Sequence, residues 1–309
     1  MHTKKHIISL KDISPQEMME IVNRGVAFAN GDVALGHQLK GQIVGIYFTK
    51  TSTRTRTSFS SAALRLGAQI IAYGPNDLQI NTGESIEDTK EVFSRMLDGL
   101  VVRTAGDPAL LRTLASQPRM SVVNAMTADE HPTQALADLT TIKQHFGDLQ
   151  GLSIVYFGEG NNTTTALALA IAKLPNMKIS FFTPPNYNID PLLLKYAQEE
   201  GAQRNTIIEE FHEVTQLPSG ADIVYTTRWE TTGTTKPDPN WRELFEPFAV
   251  TQALMDKFPK AIFMHDLPAH RGDEVESAVI DGAKSIVFDQ AENKAHSAKA
   301  VLEWCMHNN

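Results

Sequence analysis

Short apolar runs alternate with helix-like stretches along most of the 309-residue chain, and this alternation limits the possible folds most strongly. It predicts βαβ units with parallel strands. The predicted strands are 43–48, 69–73, 100–103, 121–124, 153–157, 178–182, 223–226, 262–264 and 285–288. The predicted helices are 58–66, 85–97, 108–115, 133–146, 162–173, 191–200 and 293–307. We therefore predict an α/β protein with doubly wound parallel sheets.

The chain is longer than a single core usually allows, which predicts two domains. The Gly- and Asp-containing segment 147–151 interrupts the pattern near the middle. We place the domains at 1–146 and 147–309. A long polar stretch at 226–247 predicts a functional or mobile loop.

Composition excludes several classes of function. A net charge of −8 argues against broad nucleic-acid binding. Cys305 is the only cysteine, so there is no intramolecular disulfide and no cysteine-based zinc cluster. No apolar run approaches the roughly 20 residues of a membrane helix, and the first twelve residues do not read as a signal peptide. We expect a cytoplasmic protein without metal or cofactor.

The turn after the first predicted strand is dense in anion-binding groups. Ser52, Thr53 and Thr55 offer hydroxyls, and Arg54 offers a planar charged fork suited to phosphate. The helix that follows adds unpaired N–H groups and the positive end of its dipole. The turn predicts a site for a phosphorylated small molecule; the alternative is a helix cap with solvated arginines.

Other polar residues also follow predicted strands, where ligands bind in open α/β sheets. Arg103 ends strand 100–103, and His131 and Gln134 open a helix. Histidine can donate to a developing oxyanion, and glutamine can bind an amide or phosphate. A surface arginine and a helix-capping histidine are the alternatives. We expect one cleft between the domains to collect these groups.

Two loops in the second half carry further polar groups. The loop 158–162 superficially suggests a dinucleotide site, but its third glycine is missing, which makes a Rossmann oxidoreductase a remote option. The loop 265–272 contains Asp266, which could hold a cationic group or accept a proton. The alternative for Asp266 is a turn-stabilising role.

Taken together, these motifs and their order resemble the aspartate/ornithine carbamoyltransferase family over nearly the whole chain. The resemblance implies two α/β domains, a carbamoyl-phosphate site at their junction and a last helix that packs back on the first domain. It also implies a homotrimer with shared active sites. The residues that match the family's carbamoyl-phosphate site are Ser52, Thr53, Arg54, Thr55, Arg103, His131 and Gln134, with Gln79 reaching in from a neighbouring subunit. Thr55, Arg103 and His131 would polarise the carbamoyl oxygen.

The residues expected to bind the amine acceptor depart from both best-known branches. Ornithine enzymes have an Asp-x-Trp-x-Ser-Met-Gly loop, which here runs from Thr227 to Gly233, and a His-Cys-Leu-Pro loop, which here contains Asp266. Arg228 resembles a residue of the aspartate branch. The predicted acceptor set is Asn162, Thr227, Arg228, Thr231, Asp266, Leu267 and Lys294.

We therefore expect a carbamoyltransferase closer to the ornithine branch, with an acceptor other than plain ornithine. Asp266 would attract an amine-bearing tail, and Arg228 would pair with a carboxylate. The alternative is that Asp266 and Arg228 pair with each other. A different function also stays open: a carbamoyl-phosphate-binding paralogue without catalysis, acting as a regulator or partner subunit.

Overall fold

The computed structural model describes residues 4–104, 106–231 and 235–307, which form two compact units. The first unit runs to Gln144 and takes in the chain again from Glu292; the second is His145–Ala291. Within the described ranges, every helix is too short or too polar to cross a membrane.

The first unit contains a four-stranded parallel sheet in the order β2-β1-β3-β4. Its strands are β1 Ile43–Phe48, β2 Gln69–Tyr73, β3 Gly99–Arg103 and β4 Ser121–Met126. Its helices are α1 Pro15–Asn30, α2 Arg54–Arg65, α3 Ile86–Met96, α4 Ala109–Ala115 and α5 Pro132–Phe146, the last running two residues past Gln144. The inner strand β3 is buried throughout, so it can be a continuous apolar run.

Local sequence explains why some of these helices begin and end where they do. Ser14 and Glu17 form a reciprocal capping box at the start of α1, and Gly31 ends it with φ +80°. Ser85 caps α3 by accepting the N–H of Asp88. These caps satisfy backbone groups that would otherwise lack partners.

The C-terminal helix α11, Val287–Met306, packs on the first unit from Glu292 onward. Arg24 of α1 makes an ion pair with Glu303 at 2.6 Å, and the Ser121 hydroxyl donates to the carbonyl of Cys305 at 2.8 Å. A Cβ on Gly99 would lie 2.5 Å from the Met306 sulfur, so a side chain there would displace the helix end. The predicted return of the last helix to the first domain is confirmed.

The second unit contains a five-stranded parallel sheet in the order β7-β6-β5-β8-β9. Its strands are β5 Ser153–Phe157, β6 Lys178–Phe182, β7 Ile207–Phe211, β8 Ile223–Thr226 and β9 Ile262–His265. Its helices are α6 Asn162–Ile171, α7 Pro191–Ala202, α8 Trp241–Phe245, α9 Gln252–Asp256 and α10 Ser277–Ile280. Both sheets are doubly wound, as predicted, because each strand order reverses beside the first strand of its unit.

Several features of the fold differ from the sequence prediction. Residues 285–288 are not a strand: Ser285 makes a single bridge to Phe263, and α11 already begins at Val287. The edge strand β7 and the helices α1, α9 and α10 were not predicted. The stretch 226–247 is not structureless throughout, because α8 lies within it.

Candidate active site

The first unit places its anion-binding residues where its strand order reverses. Strands β1 and β3 are neighbours, with Phe48 opposite Arg103, although 54 residues separate Thr49 from Arg103 in the chain. Helix α2 starts at Arg54, directly after the β1 turn, and Thr55 is buried in its first turn. Such a reversal leaves a crevice at the carboxyl ends of the strands. The Ser52–Thr55 turn comes after β1 and Arg103 ends β3, so both lie beside one crevice.

His131, Gln134 and Lys294 form a connected group in the same unit. His131 precedes α5, Gln134 lies in its first turn, and both are buried. The Gln134 side-chain amide donates to Asp138 at 2.8 Å, and the Lys294 ammonium donates to the side-chain oxygen of Gln134. Burial, followed by the positive charges of Lys294 and Arg103, lowers the pKa of His131 well below its ordinary value. His131 is thus neutral near pH 7, suited to donating a hydrogen bond rather than carrying a proton.

Lys294 contacts the carbamoyl-phosphate set, and Gln79 is exposed on the first unit. Lys294, predicted on the acceptor side, lies on α11 in the first unit and contacts Gln134 of the carbamoyl-phosphate set. Gln79 is exposed in this chain, where its side-chain oxygen accepts from the Thr82 hydroxyl at 2.6 Å. Its contribution to a neighbouring subunit stays a prediction.

The second unit places the loop 158–161 at its own reversal, between β5 and β8. Gly160 packs so closely on the backbone of Asn188 and Ile189 that a Cβ would overlap both. Asn161 caps α6 by accepting the N–H groups of Thr163 and Thr164 at 3.0 and 3.2 Å. Asn162 is then buried in the first turn of this helix.

Asp266 follows β9 and is held by two hydroxyl groups from other elements. Thr227, after β8, donates to one carboxylate oxygen at 2.7 Å, and Thr163 of α6 donates to the other at 3.2 Å. The adjacent His265 accepts the N–H of Leu267 at 2.8 Å on Nδ1, and its Nε2 lies 3.1 Å from Glu274. A side chain 12% exposed and held in this way keeps an oriented negative charge at the edge of the sheet.

Arg228 has a different partner from the one considered in the sequence analysis. Its guanidinium lies 3.5 Å from Glu230, whereas Asp266 accepts from Thr163 and Thr227. The alternative in which Arg228 and Asp266 pair with each other is therefore not the arrangement observed. Thr232 and Gly233, which complete the loop comparison with the ornithine branch, lie outside the described residues.

Sequence reasoning missed three residues that shape the second set. Thr163 holds Asp266, and Glu159 accepts both the Thr231 hydroxyl at 3.0 Å and the Lys236 ammonium at 2.6 Å. The run of threonines after Asn162 was a visible signal for Thr163. No local pattern indicated Lys236, since it lies in a polar stretch 77 residues from its partner Glu159.

A buried carboxyl group beside His131 makes the first unit sensitive to pH. Glu130 accepts the N–H of Leu10 at 2.7 Å, and burial, with minor repulsion from Asp129 and Asp12, raises its pKa from 4.5 to about 7. As pH rises, Glu130 loses its proton at a lower pH in the unfolded chain than in the folded chain. Between pH 4.5 and about 7 the folded state therefore binds more protons. Stability should therefore fall as pH rises from about 4.5 to 7.

Replacement of Glu130 by glutamine should remove this loss while keeping a hydrogen-bond acceptor for Leu10. At about pH 8 the free energy of unfolding of the variant should exceed that of wild type by at most about 3 kcal/mol, and at about pH 4 the difference should be small. Urea unfolding at both pH values measures the difference. Glu20→Gln, at an exposed site, serves as the control. A Glu130→Gln profile that falls as steeply as that of wild type would contradict the assignment.

The two sets of residues define a class of protein. A cationic, hydroxyl-rich set in one doubly wound unit suits a phosphorylated donor, and an amide and carboxylate set in the other suits an amino-acid-like partner. This is the arrangement of a group-transfer enzyme.

Comparison with known proteins specifies the family. The model described as the aspartate/ornithine carbamoyltransferase carbamoyl-P binding domain matches residues 5–144, and that of the Asp/Orn binding domain matches 150–305. The ornithine carbamoyltransferase of Symbiobacterium thermophilum is 39% identical over 98% of each chain, and that of Synechococcus elongatus is 38% identical over 96% of each. The chain belongs to the aspartate/ornithine carbamoyltransferase family, and it is a carbamoyltransferase.

Solved structures agree with this assignment. The ornithine carbamoyltransferase from Pyrococcus furiosus superposes with a TM-score of 0.92 at 34% identity, covering 99% of this chain and 98% of that one. The enzyme from Gloeobacter violaceus gives a TM-score of 0.87 at 33% identity, covering 99% and 100%. The fold of the chain is thus similar to that of these two ornithine carbamoyltransferases.

Proposed function

We propose that this carbamoyltransferase moves the carbamoyl group of carbamoyl phosphate to the amine of an amino-acid-like acceptor that is not plain ornithine. The observation that carries the proposal is the carboxylate of Asp266, held by Thr163 and Thr227. In the ornithine-branch motifs the carboxylate stands at the position of Thr227, and a cysteine stands at that of Asp266. The negative charge has thus changed position within the acceptor set.

The first unit supplies the groups for carbamoyl phosphate. Ser52, Thr53, Arg54 and Thr55 bind the phosphate, which suits a helix start rich in donors. Thr55, Arg103 and neutral His131 polarise the carbamoyl oxygen. Lys294 and Gln134 are in direct contact, so we assign Lys294 to this side of the reaction.

The reaction follows from these roles. The neutral acceptor amine attacks the carbamoyl carbon, a C–N bond forms, and negative charge develops on the carbonyl oxygen. The C–O bond to phosphate then breaks, and the departing phosphate takes the amine proton. Catalysis rests on positioning and on donors aimed at the oxyanion, each typically worth about 3 kcal/mol.

The second unit supplies the acceptor groups. Asn162 binds the amino-acid head, and Asp266 holds an amine by charge and hydrogen bonding. Arg228 is available to a substrate carboxylate if that carboxylate displaces Glu230, which lies 3.5 Å away. Thr227, Thr231 and Leu267 complete the set.

Assembly follows the expectation for the family. We propose a cytoplasmic homotrimer in which Gln79 of one subunit reaches the phosphate bound by the next. The exposure of Gln79 in the single chain supports this role, since it is accessible to a partner. Analytical ultracentrifugation reads the mass directly, and a monomer at working concentration would contradict the proposal.

A turnover screen tests the proposed function. Carbamoyl phosphate is incubated with ornithine, acylated ornithines, shorter and longer diamino acids, aspartate and simple diamines, and products are read by mass spectrometry. We expect one amine other than ornithine to be carbamoylated fastest. Ornithine as the best acceptor would contradict the altered specificity, and no product from any amine would contradict acceptor binding as assigned.

A further inference from the structure

Lys236 is a buried lysine within a polar stretch of the second unit. Its side chain is only 3% exposed, and its Nζ lies 2.6 Å from a carboxylate oxygen of Glu159. Three aromatic rings surround the ammonium, with centroids 4.4 Å away for Tyr187, 4.7 Å for Phe245 and 5.3 Å for Trp241. These groups form an aromatic cage, made of Glu159, Tyr187, Phe245 and Trp241. The cage combines a carboxylate with three ring faces that attract a cation.

A lysine is almost never buried without a partner, because its ammonium loses its hydration. Here the carboxylate and the rings replace that hydration. Buried ion pairs can often be exchanged for apolar residues without loss of stability, so stability alone does not explain this one. The other partners of Glu159 show what the ion pair positions.

The Glu159 carboxylate connects Lys236 to the acceptor set. One oxygen accepts from Lys236, and the other accepts from the Thr231 hydroxyl at 3.0 Å. Thr231 in turn accepts from the Asn161 side chain at 3.0 Å. Both contacts fix Thr231 against the loop that follows β5.

The chain of contacts continues to the proposed acceptor carboxylate. Asn161 caps α6 through the N–H of Thr163, and the Thr163 hydroxyl donates to Asp266. The first turn of α6 also carries Asn162. Lys236 is thus linked through Glu159, Thr231 and Asn161 to the turn that presents the acceptor-binding groups.

We propose that Lys236 is a positioning residue for the acceptor subsite. Its caged ammonium orients the Glu159 carboxylate, which holds Thr231 and Asn161 in place; Lys236 itself does not touch the substrate. The inference rests on the proposed function, because it concerns the same acceptor set. It predicts that Lys236 governs acceptor binding and not carbamoyl-phosphate binding.

The test compares Lys236→Met, which fills the cage without charge, with Lys236→Arg, which keeps the charge. We expect Lys236→Met to raise the KM for the acceptor by about tenfold or more, with the KM for carbamoyl phosphate within about twofold of wild type. Lys236→Arg should recover most of the acceptor affinity. The probes are ornithine and the amine that the screen selects. Lys178→Met is the matched control, because Lys178 pairs with Glu209 at 3.3 Å on the exposed surface of the same unit.

A second readout needs no acceptor. In a Trp304→Phe background the two remaining tryptophans, Trp229 and Trp241, pack on Phe245 beside the cage. Lys236→Met should raise their quenching by acrylamide, and Lys178→Met should not. If wild type carbamoylates no amine, the proposed function fails. Acrylamide quenching of Trp229 and Trp241 still shows whether Lys236 keeps the residues around the cage in place.

Three results would overturn the inference. The first is unchanged quenching in Lys236→Met. The second is increased quenching with an unchanged KM for the acceptor. The third is an equal rise in both KM values, which would show a general structural role.

Discussion

Replacement of Arg103 by leucine should lower kcat/KM for carbamoyl phosphate by about a thousandfold. Arg103 is 8% exposed at the end of the buried strand β3, opposite Phe48 of β1. In the proposed mechanism its guanidinium faces the oxyanion, where a single neutral donor is typically worth about a hundred- to a thousandfold. A charged donor is stronger than a neutral one, so the upper end applies. Steady-state kinetics with the amine selected by the screen measures the effect.

The control for this variant is Arg112→Leu. Arg112 lies on α4 of the same unit, and its side chain is 55% exposed and pairs with Asp12 at 3.2 Å. It should keep nearly full activity, since exposed pairs contribute little. Carbamoyl phosphate should also raise the Tm of wild type and of Arg112→Leu more than that of Arg103→Leu. An Arg103→Leu enzyme with more than about a tenth of wild-type activity would refute the assigned role.

Replacement of Asp266 by asparagine should lower kcat/KM for the acceptor by several hundredfold to about a thousandfold, with the KM for carbamoyl phosphate unchanged. The substitution removes the charge but keeps the shape. An asparagine oxygen still accepts from Thr227, and its NH₂ can donate to the Thr163 hydroxyl in place of the present bond. The loss therefore reports the charge seen by the acceptor amine. The control is Asp256→Asn on the exposed surface of α9 in the same unit.

The reverse experiment asks whether the position of the carboxylate sets specificity. The double substitution Thr227→Asp with Asp266→Cys restores the ornithine-branch residues at both positions. The double variant should raise kcat/KM for ornithine by about tenfold or more and lower kcat/KM for the native acceptor. Specificity is the ratio of these two values, so moving the carboxylate should shift specificity toward ornithine. Two results would contradict the assignment of Asp266 to acceptor binding. One is an unchanged ratio of kcat/KM for the two amines in the double variant, and the other is an Asp266→Asn variant as active as wild type.

Buried parallel strands were the easiest part of the fold to predict. β1, β5, β6 and β8 have the bounds expected from sequence, because strands covered on both faces read as continuous apolar runs. The edge strand β2 also has its predicted bounds, although its residues are exposed or half-buried. The edge strand β7 was missed because its central residues Glu209 and Glu210 break the apolar run. The run at 285–288 was misread because a short apolar segment does not distinguish a strand from the start of a helix.

Part of the proposed carbamoyl-phosphate set could be selected from the sequence, because the Ser52–Thr55 turn comes after β1 and Arg103 ends β3. The rule that ligands bind at the carboxyl ends of parallel strands selects Thr55 and Arg103 without knowledge of side-chain contacts. The acceptor set is different. Thr163, Glu159 and Lys236 act through side-chain contacts with partners 70 or more residues away, and such contacts leave no local pattern.

The sequence by itself determined the strands of both sheets except β7, most of the helices and the two-part organisation, and it predicted an anion-binding turn, since hydrophobic periodicity and helix-start chemistry are local properties. Only the tertiary structure decided which side chains share hydrogen bonds: Asp266 with two threonines, Arg228 with Glu230, Lys294 with Gln134, and Lys236 inside an aromatic cage. The physical reason is that strand order and helix packing set distances of a few ångströms between residues far apart in the chain. The individual distances cannot be read from the pattern of residues along the chain.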